Sequence, residues 1–206
     1  MRVVCWNVRG LGARFKRRYL STWVRQHGPS LLIVVETKLS VISHAYVRTL
    51  LRQPSFGFLP PNGVAGGILL AWSPSLTGEV VHVGHYFISV VLNGLWPNGP
   101  VLVTVVYGHC VGALHDQLWD ELHHARQPWL LAGDFNCLLS PDDSSSHVSS
   151  DPSMSAFRSF IDEFGLFDMP LSNGKFTWFN NRNPPILRRL DRVFLSPKLF
   201  STFPSS

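Results

Sequence analysis

Thirteen carboxylates are spread along the 206 residues, and three of them stand where a solvated acid does not belong. Glu36 directly follows the apolar run 31–35, Asp134 follows the run 129–133, and Asp191 interrupts the stretch 186–195. An ionised carboxylate beside an apolar core is costly unless it is paired or bound to a metal. In layered α/β proteins, ligand sites are built beyond the carboxyl ends of strands. Glu36 and Asp134 could each simply cap a following turn, because Asx turns are common, but three such acids together point to a site. Asp120-Glu121, Asp142-Asp143 and Asp162-Glu163 fall on expected helix faces and loops.

Asn7 follows the first apolar run as Glu36 follows the second. An amide oxygen beside a carboxylate suits a hard divalent cation. Mg2+ takes one or two carboxylates, keeps several waters and commonly shares its shell with a phosphate; Mn2+ is the alternative ion. Asn136 points the same way as Asp134 if the strand geometry persists. Taken singly, each Asn is also an ordinary turn residue.

The elements that must position these groups are legible in the hydropathy pattern. Short apolar runs at 2–6, 31–35, 68–72, 87–92, 101–107 and 129–132 read as buried strands. Their continuous rather than alternating character implies sheets covered on both faces. Between them, Phe15, Tyr19, Trp23 and Val24 share a helical face, as do Leu114, Leu118 and Leu122, and Met154, Phe157, Ile161 and Phe164. The last helix starts after Asp151-Pro152-Ser153 and stops at Gly165, and a weaker one is expected over 45–53. Residues 176–179 read as a strand, 180–185 as a turn, 187–195 as an extended run and 200–206 as patternless. The Ser-rich segment 139–155 reads as an exposed loop. Strands alternating with helices give an α/β layered architecture in a single domain, 1–206.

Charged residues make up only 15% of the chain and aromatics 12%, a composition that collapses rather than staying disordered. The formal charge of +5 favours an anionic partner, nucleic acid among them. Arg14, Lys16 and Arg17, with Arg18, open the first helix beside Asn7, where they either meet a phosphate backbone or form a solvated face. Arg182 and Arg188, with Arg189 and Arg192, surround Asp191. Trp178 is either a base contact or a core residue. Gly66-Gly67 fits close strand packing rather than a phosphate cradle, since no helix follows. Cys5, Cys110 and Cys137 show no ligand spacing, which implies a reducing compartment without a zinc site. The longest apolar stretch, 64–72, is too short to cross a bilayer. No secretory leader is recognisable, so the expectation is an intracellular protein without a membrane partner.

Six motifs then appear in order: Trp6-Asn7-Val8-Arg9-Gly10, Glu36-Thr37-Lys38, Gly66-Gly67-Ile68, Val106-Tyr107-Gly108, Gly133-Asp134-Phe135-Asn136 and Arg189-Leu190-Asp191-Arg192. Together they resemble the endonuclease/exonuclease/phosphatase superfamily. With Phe176-Thr177-Trp178 they are most similar to the apurinic-endonuclease-like domain of plant LINE-type retrotransposons. The resemblance implies a four-layer α/β sandwich, two mixed sheets packed face to face with helices outside. It also implies that Asn7 and Glu36 hold Mg2+, that Asp134 and Asn136 orient or deprotonate the attacking water, and that Tyr107 lies close to the scissile phosphate. Asp191 would orient a histidine from a Ser-Asp-His motif, yet none of the nine histidines follows Asp191. The expectation is therefore a domain lacking its last strand, with His109, two residues after Tyr107, as the one histidine placed near the cleft. The implied activity is Mg2+-dependent nicking of DNA by a monomer of retrotransposon origin, nuclear if active. The alternatives are an inactive remnant that binds nucleic acid weakly, and a phosphatase or small-molecule phosphodiesterase of the same superfamily.

Overall fold

The computed structural model describes residues 2–63, 65–109, 115–123, 125, 128–171 and 174–202. Cys110, Leu114 and residues 203–206 of the tail lie outside them. The described chain runs β1 (Val3–Asn7), α1 (Arg14–His27), β2 (Leu31–Val35), α2 (His44–Leu50), β3 (Ser55–Asn62), β4 (Ala65–Trp72), β5 (Thr77–Val83), β6 (Phe87–Trp96), β7 (Gly99–Tyr107), α3 (His115–Leu122), β8 (Trp129–Asp134), α4 (Pro152–Glu163), β9 (Phe167–Asp168), β10 (Trp178–Phe179), β11 (Leu187–Arg188), β12 (Asp191–Leu195) and α5 (Pro197–Phe200).

These strands form two large mixed sheets, in the orders β1-β2-β4-β3 and β5-β6-β7-β8-β12-β9, and a small β10-β11 pair. Only β1/β2 and β7/β8 pair in parallel among the described residues. The period of two in a strand divides each sheet's side chains between two faces. Leu31, Ile33 and Val35 of the first sheet meet Val103, Val105, Leu130 and Ala132 of the second in the core between the sheets. The alternate residues Leu32 and Val34 turn outward under Leu20, Val24 and Val47 of α1 and α2. Val106 and Leu131 turn outward under Trp119, Phe157 and Phe160 of α3 and α4. Because both faces are covered, every residue of β2 and β8 is buried. The architecture is thus a four-layer α/β sandwich, two mixed sheets flanked by helices.

The structure adds three strands that the pattern did not show: the two-residue β9 and the longer β3 and β5. β3 holds Pro60 and Pro61 and β5 is exposed along its whole length, and both are edge strands among the described residues. Edge positions tolerate missing donors and produce no apolar run. The extended run 187–195 is broken into β11 and β12, which places Asp191 at the start of a strand rather than within one. β12 lies between β8 and β9, while β1 and β3 are the edges of the first sheet among the described residues.

Segment 139–155 is less exposed than its serines suggest. A 3-10 turn, Pro141–Asp143, buries Asp143. Its carboxylate takes the amides of Leu139 and Ser140 at 3.0 and 2.9 Å and pairs with Arg192, which also pairs with Asp168. Arg189 reaches the same Asp168 at 2.8 Å. Arg192 and Arg189 are therefore tied to structural acids. Cys5 and Cys137 are free thiols; burial raises both, Cys137 to about 12, so neither is a nucleophile at neutral pH.

Candidate active site

One register explains how the separated motifs meet. Tyr107 pairs with Asp134 across the parallel β7/β8 ladder, and Asp134 pairs with Asp191 across the antiparallel β8/β12 ladder. Cross-strand partners share a face. Each of the three continues an inward-facing apolar series: Val103 and Val105 before Tyr107, Leu130 and Ala132 before Asp134, and Leu195 and Val193 on the way back to Asp191. The apolar core between the sheets ends in a row of one phenol and two carboxylates. Gly133 permits this spacing, because a Cβ there would lie 1.9 Å from the Val106 carbonyl oxygen.

The first sheet contributes the opposite wall. Asn7 is the last residue of β1, one inward-facing step beyond Cys5, and its Nδ2 donates to Asp134 Oδ2 at 2.7 Å. This bond spans the two sheets. Glu36 lies one residue past β2 and adopts φ +57°. Arg9 at +47°, Lys38 at +54° and Asn136 at +48° share that left-handed conformation, which non-glycine residues rarely take and which concentrates at functional sites. The Glu36 loop is held by Thr37 and Lys38 amides donating to the Gly67 and Gly66 carbonyls, each at 3.0 Å. Gly67 has φ +89°, and a Cβ there would lie 2.4 Å from Thr37 Oγ1. The glycine pair thus does allow close packing, but against this loop and the Tyr107 ring rather than only between strands.

Burial in this crowded corner pushes Asp134 up to about 7; the neighbouring Asp191 and Glu36 charges add to the rise, while the Asn136 amide and the Asn7 side chain oppose it. Asp191 is also raised by burial, against the hydrogen bond from Thr177 and the charge of Arg9. Thr177 Oγ1 accepts the Leu190 and Asp191 amides, each at 3.1 Å, and bonds the Asp191 carboxylate. Asp191 Oδ1 is buried without a hydrogen-bond partner. Thr177 was not legible as a site residue, since an uncharged Thr beside a two-residue strand carries no signal of its own.

The expected orientation of Asn136 needs correction. Strand β8 ends at Asp134, and the left-handed Asn136 turns away from strand geometry. Its amide N–H donates to Asp134 Oδ1 at 2.9 Å and its Nδ2 to the Gly108 carbonyl at 2.8 Å. Asn136 therefore braces Asp134 and the end of β7 against each other.

Of the basic candidates, Arg14 and Arg182 are exposed. Lys16 donates to the Arg9 carbonyl at 2.8 Å, and Arg17 to the Leu11 and Gly12 carbonyls at 2.9 and 2.7 Å, so both also brace the β1–α1 loop. Arg188 is half-buried on β11. Trp178 packs against the buried Leu138, Met154 and Leu190, which favours its core reading. Its neighbour Phe179 is exposed, and the Arg9 guanidinium lies 5.5 Å from its ring centroid. The sequence reading missed both Arg9 and Phe179. His109 packs edge-on against Tyr86 at 5.7 Å, on the Tyr107 side of the row and away from Asp191.

The donor set fits a cation that brings ligands of its own. Among the described residues no three His, Cys, Asp or Glu side chains cluster tightly enough to form a cage. What converges is instead an amide oxygen, the Glu36 carboxylate, itself 2.9 Å from Lys38 Nζ, and crowded acids whose affinity for protons a divalent ion would lower. This sparse, oxygen-rich set suits a hard divalent cation that keeps several waters.

Comparison with known proteins agrees with this fold. The chain is similar, over 97% of its length and 86% of the other chain, to the endonuclease domain of TRAS1, a telomere-specific non-LTR retrotransposon (TM-score 0.71, 14% identity). An AP endonuclease from Archaeoglobus fulgidus matches over 95% and 86% (TM-score 0.71, 16% identity). A 3' phosphatase, NExo, from Neisseria bound to product DNA hairpin matches over 98% and 88% (TM-score 0.69, 18% identity). No curated protein matches the sequence. No helix among the described residues is long and apolar enough to cross a membrane. The model of the endonuclease/exonuclease/phosphatase family matches residues 4–206, and the chain belongs to that family.

Proposed function

We propose that the protein is a metal-dependent phosphodiesterase that nicks DNA, a monomeric endonuclease of LINE-type retrotransposon origin acting on nuclear DNA. The observation that carries this reading is the row Tyr107–Asp134–Asp191 facing Asn7 and Glu36 across the mouth of the intersheet core. The positive charge of the chain suits a polyanion better than a small phosphate ester.

Asn7 and Glu36 are the residues that would hold Mg2+, which supplies charge neutralisation at the phosphate oxygens when bound. Asp134 takes up or orients the proton of the attacking water, a role suited to a carboxylate poised near neutrality. Asn136 fixes Asp134 through the backbone amide, and Asn7 fixes its other oxygen. Tyr107 borders the scissile phosphate, and Arg9 offers a guanidinium beside it. The unpartnered Asp191 Oδ1 favours one other reading, nucleic-acid binding without turnover.

Relaxation of supercoiled plasmid separates them. Nicking that requires Mg2+, stops with EDTA and is lost in Asp134→Asn is the expected result; DNA binding with no nicking at any Mg2+ or Mn2+ concentration would establish the second reading.

A further inference from the structure

We propose that Asp191 positions Arg9, and that the Arg9 guanidinium takes up the negative charge that builds on the attacked phosphate. This rests on the hydrolytic reading above and deepens it. Arg9 is exposed, yet its backbone is fixed on both sides. Its amide donates to Asn7 Oδ1 at 3.0 Å, and its carbonyl accepts from Lys16 Nζ at 2.8 Å. The next two amides, of Gly10 and Leu11, donate to the Glu36 and Thr37 carbonyls at 2.7 and 2.8 Å. These bonds hold a non-glycine residue at φ +47°, and such residues cluster where a fold aims a functional group.

The side chain is aimed as well. Its guanidinium lies 5.5 Å from the Phe179 ring centroid, a cation–π distance. Phe179 is two residues beyond Thr177, whose Oγ1 accepts the Asp191 amide at 3.1 Å, and the charge of Arg9 favours the ionised Asp191. Asp191 therefore has a cation to orient. The neighbouring cations are engaged elsewhere, Lys38 by Glu36 and both Arg189 and Arg192 by Asp168. In the hydrolytic step the water oxygen bonds to phosphorus and Asp134 takes the water's proton, later returning it to solvent. The bond to the leaving oxygen breaks, and that oxygen departs with the bonding pair and is protonated by solvent. Arg9 keeps its own proton throughout and donates N–H bonds to the nonbridging oxygens. A preformed fork of donors needs no reorganisation as the charge appears.

The test compares Arg9→Ala with Arg9→Gly, which suits the left-handed backbone, in steady-state nicking. Both should lower kcat about 100- to 1,000-fold. KM should stay within about threefold, since one contact among many backbone phosphates adds little to affinity. Millimolar guanidinium should restore part of the kcat of both variants and none of that of Asp134→Asn. Unchanged kcat, or a loss that guanidinium does not relieve, overturns the proposal. Asp191→Asn should lower kcat at least about tenfold in the parent and less than about twofold in the Arg9→Ala protein; equal losses would overturn the positioning role. Phenylglyoxal labelling in EDTA, read by mass spectrometry, needs no turnover, and bound duplex DNA should protect Arg9. Protection by a protein that does not cleave in Mg2+ or Mn2+ removes the hydrolytic reading and keeps Arg9 as the phosphate contact. Labelling of Arg9 unaffected by DNA removes that contact and leaves a cleaving protein its hydrolytic reading.

Discussion

Replacing Asp134 with Asn should remove a loss of stability that grows as pH rises. In the metal-free native protein Asp134 releases its proton near pH 7, against about 3.9 in an unfolded chain. Below pH 4 both states hold the proton and the site costs nothing. Between pH 4 and 7 only the native state holds it, so stability falls as pH rises through this window and levels off above it. At about 1.4 kcal/mol per pH unit, the decline attributable to Asp134 reaches about 4 kcal/mol. Asn carries no charge, but it has one acceptor oxygen where Asp134 serves two donors, Asn7 Nδ2 and the Asn136 amide, and losing one such bond costs about 1 kcal/mol. Asp134→Asn should therefore be about as stable as the parent near pH 4.5, where the decline already offsets the lost bond, and about 3 kcal/mol more stable near pH 8. The measurement is urea unfolding in EDTA from pH 4.5 to 8.5, taken as the difference between the two proteins so that groups titrating in both cancel. Millimolar Mg2+ should then raise the parent at pH 8 more than the variant, which keeps Asn7 and Glu36 but lacks the neighbouring Asp134 charge. A difference constant across pH, or a variant less stable at pH 8, would refute the reasoning.

Arg192→Ala leaves Asp143 and Asp168 facing each other without their shared cation; a loss of about 3–5 kcal/mol is expected in denaturant unfolding, and a loss below 1 kcal/mol would show the network to be dispensable. Gly67→Ala places a methyl 2.4 Å from Thr37 Oγ1 at φ +89°, so it should displace the Glu36 loop and weaken Mg2+ affinity, by titration of the metal-induced shift in melting temperature, at least tenfold. Trp178→Leu should lower the melting temperature and leave DNA affinity within twofold, while Phe179→Ala should do the opposite, with DNA affinity read by fluorescence anisotropy.

The convergence of the candidate residues was largely legible because they sit on the inward series of strands that are apolar up to the candidate position. Leu130 and Ala132 announce Asp134, and Val103 and Val105 announce Tyr107, by the period of two. What was not legible depends on pairings between distant segments. Asp143 reads as a solvated acid in a Ser-rich loop because its partner Arg192 is 49 residues away. The two-residue β10 gives no periodicity by which to decide that Trp178 faces the core and Phe179 the solvent. Asn136 defeats extrapolation because the strand ends at Asp134 and the chain turns left-handed.

The Asn7–Asp134 hydrogen bond has one end on each sheet, and the gap it bridges is set by side chains such as Ile33, Leu70 and Val105 that fill the core behind it. Protein interiors are too densely packed to absorb even a methylene silently. On the proposed hydrolytic reading the apolar core works as a ruler for the chemistry at its mouth: a substitution that widens or narrows the sandwich, remote from every reacting atom, would shift Asp134 against Asn7 and be read out as rate.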